Sequence, residues 1–407
     1  MIRFFLILLF LLPGMAAAQV TIESVKGGRQ KIPILMRSFQ GPDEVRTEMR
    51  KTVQADLGFT GFFEFVDART LDSTRARAAI SAVIDDDGSA LHGSIMDPAQ
   101  QVEIASYDYD ITGGDFRDAA HRFSDDIVYI LSGSPGLART KILFVRDESG
   151  GAKGLYTVDW DGENIRAILS DGHLNLTPAW APDGAKVLFT SYRADNPDLY
   201  WRDIRSGEGG VVSNYPGLNT APAWSPDGRK VAFVISKGSN SDIYVMNRDG
   251  SRLKRITHSP AIDTDPTWAP SGRQIAFTSD RSGSPQIYRM NVDGSDVQRL
   301  TFDKAYNASP VWSPDGEMIA FVTREEGGFQ IRVLDLTDQE SYLLTVQSGN
   351  NEDPAWSPDG RYLVFSSTRT GTRRLHVMDA DGTNVRTLTP GNFGAASPCW
   401  SPRMKSQ

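Results

Sequence analysis

Cysteine is almost absent from this chain. Of 407 residues only Cys399 carries a thiol, so no disulfide within the chain can hold the fold together. Basic excess is absent as well: 43 Lys and Arg face 51 Asp and Glu, for a net charge of −8. That balance argues against a general nucleic-acid binder, which needs a basic face to neutralise phosphates. Histidine is scarce, at five residues, and His121 has no second metal-ligand type placed near it in sequence. A nucleophile elbow is missing too, because Ser132-Gly133-Ser134-Pro135-Gly136 lacks the first glycine of G-x-S-x-G. Only Phe4 to Leu12 forms a long apolar run, and it is shorter than the ~20 residues that span a bilayer.

That run has the pattern of an export signal. Arg3 supplies the positive start and Ala16-Ala17-Ala18 the small-residue cleavage site. Cleavage is expected between Ala18 and Gln19, leaving a mature protein without a membrane span. Export permits disulfides, yet the lone Cys399 sits between Pro398 and Trp400. No base stands beside it in sequence, so it reads as a buried strand residue and not a nucleophile.

What the chain has in abundance is one motif. Pro-x-Trp-[Ala/Ser]-Pro begins at Pro178, Pro222, Pro266, Pro310, Pro354 and Pro398, always 44 residues apart. A fixed period of about 40–45 residues marks a propeller in which each repeat is a four-stranded antiparallel sheet. In one complete unit, strands are expected at Pro222 to Pro226, Lys230 to Ser236, Asp242 to Asn247 and Arg252 to Thr257, with Asp227-Gly228 and Asp249-Gly250 as turns. The sixth motif has only Arg403 to Gln407 after it, so its blade lacks three strands. Lys141 to Arg146, Leu155 to Trp160 and Asn164 to Leu169 supply them from before the first motif. Six blades then close with both chain ends in one sheet, which removes the exposed edges.

Before the repeats, residues 19–138 read as a small α/β domain. Strands are expected at Val20 to Val25, Lys31 to Phe39, Phe62 to Val66, Ile80 to Ile84, Ala90 to Met96 and Val102 to Ile111. One helix starts at Pro42-Asp43-Glu44, a weaker one covers Thr70 to Ala79, and a third is capped by Asp115. His121 lies on that last helix as a packing or surface residue. The domain order is therefore signal peptide 1–18, α/β domain 19–138 and six-bladed propeller 139–407.

Two recurring features invite a sharper chemistry. Asp-x-Asp-Gly at Asp159 and Asp379, with Asn variants at Asn247 and Asn291, resembles a fragment of a calcium loop, but the remaining oxygen ligands and final Glu are absent. Recurrence once per blade fits a hairpin turn. The tryptophans likewise recur in step with the blade, which favours packing between blades over stacking on sugars or bases. The segments just before each motif are more informative: Asn219-Thr220-Ala221, Asp263-Thr264-Asp265, Asn307-Ala308-Ser309, Asn351-Glu352-Asp353 and Ala395-Ala396-Ser397. Read as connections from an outermost strand to the next innermost strand, they crowd round the channel mouth on one face. Such loops form either a binding surface or a polar rim without a partner.

This combination of leader, small α/β domain and Trp-Ser-Pro-Asp-Gly propeller resembles the TolB family. Ala120-His121-Arg122-Phe123-Ser124-Asp125-Asp126 leading through Gly133 to Arg139-Thr140-Lys141-Ile142 is also typical of it. The similarity covers essentially the whole mature chain. It implies a periplasmic, non-enzymatic component of the Tol-Pal system with no cofactor, metal ion or catalytic residue. Its implied partners are the lipoprotein Pal at the propeller mouth, TolA at the N-terminus and other outer-membrane proteins, in support of outer-membrane integrity and cell division. The Pal surface would include Asn219, Ala221, Thr264 and Asp265, extended by the repeat to Asn307, Ser309, Glu352 and Asp353. The TolA segment would be Gln19, Val20, Thr21, Ile22 and Glu23, whose alternation suits addition to a sheet edge. The rival reading is a propeller hydrolase or a propeller attached to a peptidase.

Overall fold

A computed structural model describes residues 31–403 apart from 68, 70–73, 113–114, 239 and 347–348. The export signal, the Ala18–Gln19 cleavage site and the segment Gln19–Glu23 lie outside the described residues. The chain divides into two compact units, one ending at Gly136 and the other beginning at Leu137.

The first unit is a five-stranded sheet with two helices on one side. Its strands are β1 (Ile32–Gln40), β2 (Phe63–Phe65), β3 (Ala78–Ile84), β4 (Ala90–Asp97) and β5 (Val102–Asp110), ordered β2-β1-β3-β4-β5. β1 pairs in parallel with β2 and β3, while β3, β4 and β5 pair antiparallel. Helix α1 (Asp43–Phe59) opens with Asp43 and Glu44, whose charges suit the positive end of its dipole. Met49, Val53 and Leu57 recur every four residues and bury one stripe. Helix α2 (Phe116–Ser132) is capped by Asp115, whose carboxylate accepts from the Asp118 N–H at 3.0 Å. Gly133, at φ +70°, ends it. Ile80, Ile84, Leu91, Ile95, Phe123 and Ile127 make the core between sheet and helices. The expected weak helix over Thr70 to Ala79 is corrected where it is described: Ala78 and Ala79 are fully buried and open β3. Burial in the sheet outweighs their intrinsic helix preference.

The second unit is the six-bladed propeller. Each blade is a four-stranded antiparallel sheet running outward from its first strand. The second blade is Leu218–Trp224, Lys230–Lys237, Asn240–Asn247 and Lys254–Arg255. Its Ser225-Pro226-Asp227-Gly228 turn explains the repeated motif. Ser225 Oγ donates to Asp227 at 2.6 Å and accepts from the Lys230 N–H, while Gly228 takes φ +67°. Closure is as expected: Ala395–Trp400 pairs antiparallel with Lys141–Asp147, followed outward by Lys153–Asp159 and Arg166–Leu169. Among the described residues, no helix is long and apolar enough to cross a membrane.

Candidate binding face and channel mouth

Strand direction sorts the loops. Within an antiparallel blade, the first strand begins where the fourth ends, so the blade-to-blade connections and the turns between second and third strands share one face. The Ser-Pro-Asp-Gly turns and the Asp-Gly turns between third and fourth strands lie on the other. These latter carboxylates are already engaged: Asp249, Asp293 and Asp381 each accept from the backbone and hydroxyl two residues on.

The segments read from sequence as connections are not loops. They are the opening residues of the innermost strands Leu218–Trp224, Asp263–Trp268, Asn307–Trp312, Asn351–Trp356 and Ala395–Trp400. In each, the register slips by one residue before the proline. In the second blade Thr220 pairs with Val234, then Ala223 with Ala232, leaving Ala221 and Pro222 opposite one residue. The residue at the bulge takes left-handed backbone in every blade: Thr177, Ala221, Asp265, Ser309, Asp353 and Ser397, with φ between 46° and 54°. None is glycine, so each carries about 1–2 kcal/mol of strain that the surrounding ring must hold. A bulge keeps the ladder while turning one extra residue out of it.

The eight candidate positions divide by burial. Asn219 and Asn307 are buried and clamp the start of their strands to the preceding blade and the connection from it. Asn219 donates to the Tyr215 carbonyl at 2.7 Å, and Asn307 to Gln286 at 2.9 Å. Ala221, Thr264, Asp265, Ser309, Glu352 and Asp353 are half-buried near the beginning of the innermost strands. Asp265 accepts from Thr278 at 3.2 Å, and Asp353 from Ser366 at 3.0 Å and the Ser397 N–H at 3.0 Å. Burial raises the Asp265 pKa above the ordinary carboxylate range. Its hydroxyl donors oppose the shift and the Asp353 charge adds to it. Glu352 is raised for the same first reason, although Arg373 pairs with it at 2.7 Å. Burial also pushes the Tyr306 phenol up, and the Asp265 and Glu352 charges add to this. The mouth is thus acidic, with carboxylates enclosed by hydroxyls. Cys399 is no nucleophile in waiting: burial pushes its thiol up to about 11.

A second period, of two blades, went unread in the sequence. Bulge residues Thr177, Asp265 and Asp353 alternate with the smaller Ala221, Ser309 and Ser397. Opposite the residue just before each of them, Thr190, Thr278 and Ser366 alternate with Val234, Val322 and Val145. Hydroxyls at the odd blades bond to the following blade: Thr190 donates to Thr220 at 3.1 Å, and Thr278 accepts from the Ser309 N–H at 3.0 Å. The remaining junctions use indoles, with Trp180, Trp268 and Trp356 donating to the carbonyls of Cys399, Ala223 and Val311. The signal was available as an 88-residue comparison, twice the obvious repeat.

Comparison with known proteins now has a geometry to meet. A family profile described as the TolB β-propeller domain matches residues 129–404. This chain belongs to the TolB β-propeller family. The crystal structure of TolB from Acinetobacter baumannii superposes with a TM-score of 0.82 at 29% identity, covering 92% of this chain and 97% of that one. The Tol-Pal system protein TolB of Nitrosomonas europaea is 35% identical over 227 residues, which is 52% of this chain and 53% of that protein. Its counterpart from Dechloromonas aromatica is 35% identical over 231 residues, 53% and 54% of the two chains. The chain spans about half the length of the curated relatives it matches.

Proposed function

We propose that this protein is the TolB component of a Tol-Pal system: a periplasmic, non-enzymatic scaffold that binds Pal on the mouth face of its propeller. The observation that carries the reading is an arc of exposed apolar side chains. Tyr215, Leu218, Ile262, Phe302 and Val346 lie on or beside the connections between successive blades, and Phe302 is 68% exposed. They occupy four of the six blade junctions on the face of the acidic mouth, giving an apolar arc beside a polar centre. Apolar groups grouped on one surface in this way suit a protein partner better than solvent. The second contact, with TolA, is assigned to Gln19–Glu23, and the role of the pair is support of outer-membrane integrity and constriction at division. Occupancy at the mouth can be signalled through the N-terminal segment only if that segment has two arrangements of different Pal affinity.

The test is calorimetric titration of the chain from Gln19 with the soluble domain of Pal, repeated with Phe302→Ala. Saturable binding weakened about tenfold by the substitution, or about 1.4 kcal/mol, with unchanged thermal unfolding, supports the reading. Absence of saturable binding by the folded wild type overturns it.

A further inference from the structure

A cleft in the described propeller opens over the closing blade. It holds about 650 Å3 and is lined by Arg146, Glu148, Tyr156, Ser170, Asn392 and Phe393, among others. Ser170 and Asn392 belong to blade-to-blade connections, so the cleft opens on the mouth face. The Arg146 guanidinium lies between two rings, 4.2 Å from the centroid of Phe393 and 4.9 Å from that of Tyr156. Stacking fixes its plane and leaves the N–H edge for a ligand. The Arg146 guanidinium makes no hydrogen bond or ion pair with any described residue. The acids beside it have donors of their own: Asp147 pairs with Lys153, and Glu148 accepts from the Tyr156 hydroxyl at 2.7 Å.

The same propeller shows what such a guanidinium takes. Arg193 stacks on Phe189 and Tyr200 and pairs with Asp171 at 3.0 Å. Arg281 stacks on Phe277 and Tyr288 and pairs with Asp263 through two bonds of 2.9 and 3.0 Å. In both, a ring-supported guanidinium presents its edge to a carboxylate supplied by the chain. Arg146 has the rings and no carboxylate from the chain.

We propose that this cleft is a carboxylate-binding site in which Arg146 receives the acid edge-on while Phe393 and Tyr156 hold the guanidinium flat. The ligand is a monoanion, because Asp147 and Glu148 on the same wall repel a phosphate dianion more strongly than a carboxylate. The acid is a side chain of a protein docked on this face or a free small carboxylate. The site itself does not depend on Pal being the partner.

The experiment titrates the nitrogen-15-labelled propeller-containing chain with N-acetylglutamic acid α-amide and, as an uncharged isostere, N-acetylglutamine amide. Arginine Nε–H resonances are followed, with Arg146 assigned by its loss in Arg146→Met. The expected result is a saturable shift of the Arg146 resonance with the glutamate probe, at least tenfold weaker with the glutamine probe. Arg146→Lys keeps the charge but loses the planar fork, and is expected to bind at least fivefold more weakly, read from the backbone amide resonances of the cleft in wild type and variant alike. Equal shifts with both probes, or no saturable shift with either in tens of millimolar, overturn the site on the wild type alone, whatever the variants do. A second arm identifies the source of the acid. Weaker association with the soluble domain of Pal in Arg146→Met assigns the carboxylate to the docked protein. Unchanged association, with the glutamate probe still bound by the wild type, assigns a free carboxylate.

Discussion

The indole Nε1 of Trp268 donates to the backbone carbonyl of Ala223, 3.1 Å away and in the preceding blade. Trp224, its counterpart one blade earlier, has an Nε1 with no acceptor among the described residues. The two look identical in the repeat but hold different junctions. Trp268→Phe is therefore expected to cost about 1 kcal/mol more than Trp224→Phe, the net worth of one buried hydrogen bond. Urea unfolding of the two variants side by side measures it, and equal midpoints would mean that the indole bond contributes nothing.

Asp265 gives the mouth a dependence on pH. Its folded pKa is raised, chiefly by burial, so the folded state holds the proton more tightly than the unfolded chain. The stability linked to that proton is complete below the unfolded value, near 3.8, and is lost as pH rises through the folded pKa. Asp265→Asn removes the buried charge and keeps an oxygen to accept from Thr278. It is expected to unfold at higher urea than the wild type at pH 7, with the advantage shrinking towards pH 4. An advantage independent of pH would assign the effect to packing.

At His92 the stability runs the same way with pH, but it is the charged form that the fold favours. It lies on β4 between Asp108 at 2.6 Å and Asp85 at 3.1 Å, and the Asp108 hydrogen bond in particular raises its pKa. Its contribution is present below the ordinary histidine value of 6.5 and fades as pH rises through the raised one. His92→Gln should lower the thermal midpoint at pH 5.5 and leave it nearly unchanged at pH 9. Because the ring is half exposed, the effect is small.

Closure rests on the last described strand. Ser401 and Lys141 exchange two hydrogen bonds, of 2.8 and 3.0 Å, and the Trp400 indole donates to Thr140 at 2.9 Å. Trp400→Ala is expected to cost about 3–5 kcal/mol through cavity formation. Deleting Pro398 to Gln407 should abolish the cooperative unfolding transition of the propeller, leaving an open edge on the closing blade. Calorimetry with a wild-type transition in the truncated chain would show that the ring does not need this strand.

Much of this was legible because it is periodic. Six tryptophans at one spacing required six equal units, and the count of strands before Pro178 and after Pro398 required the mixed closing blade. Asp265 and Asp353 were read as loop residues, whereas both lie within innermost strands. A proline after a polar residue signals a turn, and nothing local distinguishes a turn from a bulge that keeps its ladder. Thr70 to Ala79 failed for a related reason: Ala78 and Ala79 favour helix locally, and only their partners in β1 and β4 make them strand.

The sequence by itself determined the blade, its number and its closure, since turn chemistry and apolar alternation act over a few residues and simply repeat. Only the tertiary structure decided which copies of a repeated residue do different work. Trp268 finds a carbonyl where Trp224, one repeat earlier, does not. That difference depends on the neighbouring blade, about 44 residues away in the chain but in contact across the sheet faces, where hydrogen bonds are won or lost within a few tenths of an ångström.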